Sequence, residues 1–152
     1  MYLWIIISTL VIVLFLVLKS NQANLLQQPG IKARLKIFLT SHKADISRDP
    51  VLPELRSPVF ELTQQQLFEK LPVIVEALGW QQLQVDAETF SLKAVVSTPV
   101  MSFKDDVEIS VLADDQRSYL IASSRSRVGR ADFAANSRHL QQLLKAIEQA
   151  GW

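Results

Sequence analysis

An unbroken apolar run opens the chain, from Leu3 to Leu18, and no other feature limits its fold as strongly. As a helix, the run rises roughly 26 Å, just enough to cross the apolar core of a bilayer. Tyr2 and Trp4, at its start, are typical of side chains that lie at a membrane surface. The sequence therefore predicts a transmembrane anchor at residues 1–19, with the lipid bilayer as its partner through residues 3–18.

A cleaved signal peptide is the alternative interpretation of this run. Signal peptides carry Lys or Arg before the apolar run and a small-residue cleavage site after it. Neither is present here, since the run is followed by Lys19, Ser20, Asn21 and Gln22. The chain has no cysteine, which also excludes a lipid-modified cysteine as the anchor. A retained single-pass anchor is favoured.

Positive charge lies mostly after the apolar run. The cationic side chains that follow it most closely are Lys19, Lys32, Arg34, Lys36 and Lys43. Because membrane proteins tend to keep Lys and Arg flanks in the cytoplasm, this distribution favours a cytoplasmic position for the C-terminal side.

Composition limits the chemistry of the remaining chain. The net charge is only +1, so the basic field of a nucleic-acid-binding domain is missing and no nucleic-acid partner is predicted. The absence of cysteine excludes disulfides, thiolate metal sites and cysteine nucleophiles. The sequence has no H-E-x-x-H, G-x-S-x-G or phosphate-loop glycine pattern, so no cofactor, metal or catalytic residue is assigned.

Residues 20–58 are interpreted as a linker with a juxtamembrane and crossing segment. As a helix, Ile31–Thr40 places its apolar side chains on one face, with Lys32 and Lys36 beside them. These apolar side chains are Ile31, Leu35, Phe38 and Leu39. Such a helix suits a position on anionic lipid or, slightly favoured, packing on the core of the domain. Ser41–Pro58, with three prolines, is predicted to be an extended loop over the surface.

Residues 59–152 are predicted to form a small domain of the α+β class. A helix begins after Thr63, because Thr63 and Gln66 have capping-box spacing, and it ends at Gly79. Four strands follow, within WQQLQVD, ETFSLKAVVST, SFKDDVEISVL and RSYLIASSRSR. A last helix is capped by Asn136 or Ser137. Short connections predict one four-stranded antiparallel sheet, packed against the two helices and preceded by the transmembrane helix.

Alternation along the third predicted strand assigns each acidic side chain to a face of the sheet. Asp105 shares a face with Val107, whereas Asp106 faces the other way. A carboxylate beside an apolar face needs hydrogen-bond donors. A hairpin between this strand and the next brings Asp105 or Asp106 beside Arg125 or Arg127, by pairing geometry alone.

These residues belong to a larger candidate site around the stretch ASSRSRVGRADFAAN, interpreted as a binding or structural ion-pair cluster. The cluster consists of Asp105, Asp106, Ser124, Arg125, Arg127, Gly129, Arg130, Asp132 and Asn136. The favoured interpretation is a joint in which Arg127 and Arg130 hold the three carboxylates, with Gly129 at a positive φ. The second interpretation is binding of a phosphate, a carboxylate or a lipid headgroup.

The third interpretation is a membrane-associated, hydrolase-like enzyme that uses the Asp cluster together with His139. It is disfavoured, because helix phase places His139 on an exposed shoulder beside Leu140, and His42 lies in a loop. Trp80 and Trp152 are assigned to packing in the core or at its edge.

FKDDVEISV followed by SSRSRVGRADFAAN resembles the signature of a bacterial and plastid family, the domain of unknown function 1499. The resemblance extends from about Thr63 to Leu144. Its most specific positions are Phe103, Asp105, Asp106, Ser124, Ser126, Arg127, Val128, Gly129, Asp132 and Asn136. Two features depart from the family. Members of the family often carry a glycine before a valine-asparagine pair, where this chain has Ala134 and Ala135. They also often have a cysteine in the N-terminal part, whereas this chain has none.

The resemblance implies a small membrane-associated or exported domain and supplies no reaction. Combined with the charge distribution, it predicts a bacterial inner-membrane protein with one span and a domain on the cytoplasmic side. The predicted function is a non-catalytic interaction, with an anionic group, an anionic lipid or a protein as the candidate partner.

Overall fold

The computed structural model describes residues 2–98 and 102–152. Helix α1, Tyr2–Ser20, contains the apolar run, and nearly all of its side chains are exposed. Its length and hydropathy are those of a membrane span, a test that an N-terminal signal sequence also passes. The predicted N-terminal apolar helix is therefore present, as a candidate span.

The segment after α1 packs closely on the rest of the protein. Leu18, in the last turn of α1, and Ala23, just after it, are both buried in the core. Helix α2, Ile31–Thr40, contributes Phe38, which is 1% exposed. Ile31 and Leu39, expected on the buried face with Phe38, are exposed, because α2 turns its Arg34 inward instead. The core thus reaches back to the end of α1.

Helix α3, Gln64–Ala77, begins with the capping box that its sequence predicts. The hydroxyl of Thr63 accepts a hydrogen bond from the backbone N–H of Gln66, and the Gln66 side chain accepts one from the backbone N–H of Thr63. Gly79 follows the helix in the left-handed conformation, with φ of +72°. The face that α3 buries consists of Leu67, Phe68, Leu71, Ile74 and Val75.

Six strands in the described residues form one sheet, in the order β1-β6-β5-β4-β3, with β2 also paired to β6. All pairings are antiparallel. The strands are β1 (Lys43–Ile46), β2 (Val59–Phe60), β3 (Gln81–Asp86), β4 (Ser91–Ser97), β5 (Lys104–Asp114) and β6 (Arg117–Ser126). Helix α3 and the last helix contact each other and the sheet, which confirms the α+β class.

The prediction of four strands was wrong, because it missed β1 and β2. Strand β1 lies inside the segment expected to be a surface loop, and β2 lies just after that segment. Strands of four and two residues are too short to show a clear alternating pattern. Both pair with β6, and β1 buries Ala44 and Ile46 in the core. Tertiary pairing, rather than local sequence, therefore forms this edge of the sheet.

Helix α4, Ala135–Gln149, closes the domain. It begins after Ala134, so Asn136 and Ser137, the expected N-cap residues, lie inside its first turn. Its buried side chains are Asn136, Ser137, His139, Leu140, Leu143 and Ile147. The buried face of α4 is therefore polar at its start and apolar further along. The helix contacts β1 and β6.

Candidate functional site

The start of β5 and the end of β6 lie side by side, as the hairpin predicts. Asp105 is paired in register with Ser126, and Asp106 is paired with Arg125. Asp105 is 1% exposed on the core side of the sheet, whereas Asp106 lies on the outer side. Alternation in β5 therefore places two neighbouring carboxylates in two different environments.

On the outer side, Arg127 forms an ion pair with Asp106. The Nε of Arg127 lies 3.0 Å from both carboxylate oxygens, and its Nη2 lies 2.5 Å from Oδ1. The side chains of Arg127 and Asp106 are 43% and 47% exposed. The hydrogen bonds from Arg127 lower the pKa of Asp106 below its ordinary value. Because water screens so exposed a pair, it contributes little to stability.

The other two arginines of the stretch, Arg125 and Arg130, are exposed. Neither forms a salt bridge within residues 2–98 and 102–152. Lys43, the residue opposite Arg125 in the β1–β6 pairing, is paired with Asp45 at 2.8 Å. Of the ion pairs expected in this cluster, the structure contains the one between Arg127 and Asp106.

On the inner side, Asp105 contacts His139 instead of an arginine. The Nε2 of His139 lies 3.0 Å from Oδ2 of Asp105, and these side chains are 3% and 1% exposed. The imidazole also packs edge-on against Trp80, with ring centroids 6.3 Å apart. The expectation that His139 is exposed was wrong, because α4 turns its 136–139–143 side toward the sheet. His139 is therefore the hydrogen-bond partner that the buried side chain of Asp105 requires.

Asn136 connects the segment between β6 and α4 to both neighbouring strands. Its Nδ2 lies 2.7 Å from Oδ2 of Asp132, 2.9 Å from Oγ of Ser126 and 3.0 Å from the carbonyl of His42. The hydroxyl of Ser124 donates to Oδ1 of Asn136 at 2.5 Å. Asn136 is 0% exposed. A neutral amide thus occupies the centre of the buried cluster, where a guanidinium was expected.

Asp132 is the buried carboxylate of this segment. Its Oδ1 accepts a hydrogen bond from the backbone N–H of Ala134 at 2.9 Å. Ala134 is the N-cap residue of α4, and no side chain of the described residues caps the helix, so the capping expected of Asn136 or Ser137 is absent. Burial raises the pKa of Asp132, and the charge of Asp105 acts in the same direction. Hydrogen bonds from Asn136 and Ala134 oppose that rise.

The segment between β6 and α4 contains three residues with left-handed backbone. The φ angles of Gly129, Phe133 and Ala134 are +92°, +51° and +72°. Gly129 adopts its positive φ, as predicted, without a steric cost. At Ala134 the same conformation costs an alanine about 1 kcal/mol.

Three hydrogen bonds hold this segment against the N-terminal part of the chain. The backbone N–H of Asp132 donates to the carbonyl of Ser41 at 3.0 Å, and that of Phe133 donates to the carbonyl of Phe38 at 3.1 Å. The side-chain amide of Asn21 donates to the carbonyl of Phe133 at 2.9 Å. The cluster therefore lies beside the ends of α1 and α2.

A buried ion pair, Arg34–Glu54, was missed in the sequence. Arg34 is 0% exposed, and its Nη1 and Nη2 each lie 2.7 Å from a carboxylate oxygen of Glu54. Its N–H groups also donate to the carbonyls of Ala23, Gln27 and Gln28. A signal was present, since Arg34 lies four residues before Phe38 and thus on the same face of α2. The pair ties the linker to the domain.

A groove of about 550 Å³ lies between α2, β1 and residues 47–55. Its charged lining side chains are Lys36, Lys43, Asp45 and Asp49, and the buried Ser137 also lines it. Because positive and negative charges alternate there, and Lys43 is paired with Asp45, the groove does not favour a ligand of one sign.

The chemistry available to the buried cluster is limited. In the part of the chain that the structure describes, no group of three His, Asp or Glu side chains is placed to hold a metal ion. The second ring nitrogen of His139, Nδ1, is buried without a hydrogen-bond partner among these residues, so no hydroxyl is placed there as a nucleophile. Its hydrogen bonds connect β5 and β6 to α4, and the exposed arginines lie on the surface beside it.

Comparison with known proteins gives a family without an assigned reaction. The model of a family described as a protein of unknown function, DUF1499, matches residues 34–147. No curated protein matches the chain. The matched residues include Arg34 and Glu54 as well as the whole cluster around Asn136. The chain belongs to the DUF1499 family.

Proposed function

We propose that this member of the DUF1499 family is a single-pass membrane protein whose domain binds an anionic group without catalysis. The observation that carries the proposal is the division of the arginines. Arg127 is paired with Asp106, while Arg125 and Arg130 are exposed and form no salt bridge within the described ranges. Exposed guanidiniums of this kind bind phosphate or carboxylate groups through charge-assisted hydrogen bonds.

The buried carboxylates support this proposal, because they do not compete for the two arginines. Asp105 contacts His139 at 3.0 Å, and Asp132 accepts hydrogen bonds from Asn136 and Ala134. An internal pairing of Arg125 and Arg130 with these carboxylates would have left no cation for a ligand. The ligand we propose is a phosphate or carboxylate group with access to the outer side of β6.

We place the domain on the cytoplasmic side of the membrane. Lys19, Lys32 and Lys36 are exposed close to the end of α1, which is the charge pattern of a cytoplasmic flank. The buried Arg34 is paired with Glu54 and adds little net charge to that flank. The exposed apolar side chains of α1 support its role as an anchor in the bilayer.

An enzyme that uses the Asp cluster has less support. His139 and Asp105 are almost completely buried, so a substrate has no direct access to them. A hydrolase of this type would place a nucleophile or a water beside the free ring nitrogen, with a path to solvent. The interaction function is therefore preferred.

The test is a thermal melt of the full chain in a neutral detergent, with phosphate or with chloride at equal ionic strength. A dissociation constant near 1 mM predicts about 1.4 kcal/mol of stabilisation at about 10 mM phosphate, which raises Tm by a few degrees. Arg125→Ala and Arg130→Ala should each remove at least half of this rise.

Arg117→Ala is the matched control. Arg117 lies on the same strand and the same side as Arg125, about 27 Å away, and is also exposed. This variant should retain the full response to phosphate. An equal response in all variants, or no rise at all in the wild type, contradicts the proposal.

A further inference from the structure

We infer that the anionic partner is the lipid surface beside α1, and that the segment 127–133, here the arginine loop, lies on it. In this arrangement Val128 and Phe133 enter the interfacial region of the bilayer and Arg130 contacts lipid phosphates. The inference rests on the proposed function, since it names the source of the anion that the exposed arginines bind.

The first support is the distance of the arginine loop from the anchor. Asn21 follows the last residue of the apolar run, Leu18, by three positions, which is a rise of roughly 4.5 Å along a helix. The side-chain amide of Asn21 donates to the carbonyl of Phe133 at 2.9 Å. The arginine loop therefore lies within about one helical turn of the point where α1 would leave the apolar core of the bilayer.

The second support is the firm attachment of the linker to the domain. Leu18 and Ala23 are buried in the core, and Arg34 donates to the carbonyls of Ala23, Gln27 and Gln28 while it is paired with Glu54. A linker bound at so many points does not act as a flexible tether. The domain consequently presents one side to the membrane, the side that carries the arginine loop.

The third support is the composition of the loop surface. Val128 is 64% exposed and Phe133 is 39% exposed, with the exposed Arg130 between them in sequence. In water this arrangement leaves apolar area unburied. At a membrane interface the apolar side chains leave water and the cation contacts anionic headgroups.

The neighbouring N-terminal segment has the same mixture of side chains. Leu26 is 88% exposed and Ile31 is 48% exposed, and the exposed Lys32 follows them. Leu26 lies between α1 and α2, and Ile31 and Lys32 form the start of α2, whose Phe38 carbonyl accepts a hydrogen bond from the backbone N–H of Phe133. Two separate segments near the anchor thus expose apolar and cationic side chains together, as a lipid-facing surface requires.

The experiment uses the absence of cysteine from the chain, which allows one fluorescent label per molecule. Full-length Val128→Cys carries an environment-sensitive dye in nanodiscs of phosphatidylcholine with phosphatidylglycerol. Full-length Leu83→Cys is the matched control, because Leu83 is 55% exposed on β3, the far edge of the sheet from β1. The readouts are the emission maximum and the quenching by aqueous iodide.

The dye at position 128 should emit at shorter wavelength than the dye at position 83 and be quenched by iodide roughly threefold less. Arg130→Ala, added to Val128→Cys, should increase the quenching, and so should nanodiscs of phosphatidylcholine alone. Equal quenching at the two positions overturns the inference, and so does a protected dye that responds to neither change.

The phosphate melts described above separate the two proposals. In one outcome, quenching is equal at positions 128 and 83, but the rise in Tm with phosphate still depends on Arg125 and Arg130. This result overturns the lipid surface as the partner and leaves anion binding supported. Equal quenching together with no phosphate response overturns both.

Discussion

The two sides of the β5–β6 hairpin differ in where their charged side chains lie and in what they contact. On the outer side, Asp106 and Arg127 form an exposed ion pair, and Arg125 and Arg130 are exposed. On the inner side, Asp105 is held by an imidazole and Asp132 by an amide and a backbone N–H. The polar joint of the domain is thus built largely from an imidazole, an amide and a backbone N–H, and the guanidiniums of this stretch remain outside.

Desolvation explains this division. Burying a guanidinium with a carboxylate removes two ions from water, and the attraction between them repays that cost only when every donor and acceptor is satisfied. Arg34 meets this condition, because Glu54 and three backbone carbonyls surround it. No comparable set of acceptors surrounds Arg125 or Arg130 in the described residues. The exposed Arg125 and Arg130 are the groups that we propose as ligands for an anion.

The largest effect is expected on the inner side, from His139→Ala. Loss of the imidazole leaves the buried side chain of Asp105 without its hydrogen-bond partner, which costs about 3–5 kcal/mol and lowers Tm by roughly 10 °C. Denaturant unfolding of the full chain in detergent measures the change. His139→Gln restores one donor and should recover part of the loss.

His42→Ala is the matched control, since His42 is the other histidine of the chain. Its bonds to the cluster, from Asn136 and from Ser126, are accepted by its backbone carbonyl, which the substitution preserves. Its effect should stay below about 1 kcal/mol. Similar losses of stability in His139→Ala and His42→Ala would mean that the contact between His139 and Asp105 does not stabilise the fold.

The pH dependence of the two sides should have opposite signs. The pKa of Asp106 is lowered in the folded state, so its stabilising contribution is present above its unfolded pKa, about 4, and is lost as pH falls. The pKa of Asp132 is raised, so its contribution is present below about 4 and is lost as pH rises through the folded pKa.

Unfolding free energies from pH 7 to acid, for the wild type, Asp106→Asn and Asp132→Asn, test these signs. As pH falls, the difference in unfolding free energy between the wild type and Asp106→Asn should shrink. Over the same range, the wild type should become more stable relative to Asp132→Asn. Both changes should be smaller than the effect of His139→Ala. Parallel pH profiles for the two variants would remove the distinction between the inner and outer carboxylates.

Local patterns in the sequence predicted much of this arrangement. Alternation in β5 placed Asp105 inside and Asp106 outside, and the capping box placed the start of α3. The hairpin placed Arg127 beside an Asp. Each of these features depends on residues close in the chain or on one hairpin, so periodicity and turn geometry are sufficient to find it.

Features that depend on docking between distant elements escaped prediction. His139 meets Asp105 only because α4 packs on the sheet, 34 positions away in the chain. The assumption that polar side chains face water placed His139 on the exposed side of α4, although it is buried. Asn136, His139 and Leu143 recur at three- and four-residue spacing. A helix face that includes polar residues would therefore have predicted the buried side of α4. Strands β1 and β2 were missed because their pairing with β6 alone defines them.

The central claim is that the arginines of this stretch are not part of the structural joint. The most direct measurement is the Tm of the full-length triple variant Arg125→Ala, Arg127→Ala, Arg130→Ala, in neutral detergent without phosphate. A Tm within about 3 °C of the wild type is expected, because none of the hydrogen bonds among Asp105, Ser124, Asp132, Asn136 and His139 involves an arginine side chain. A fall as large as that of His139→Ala would contradict the claim, because the arginines would then hold the domain together.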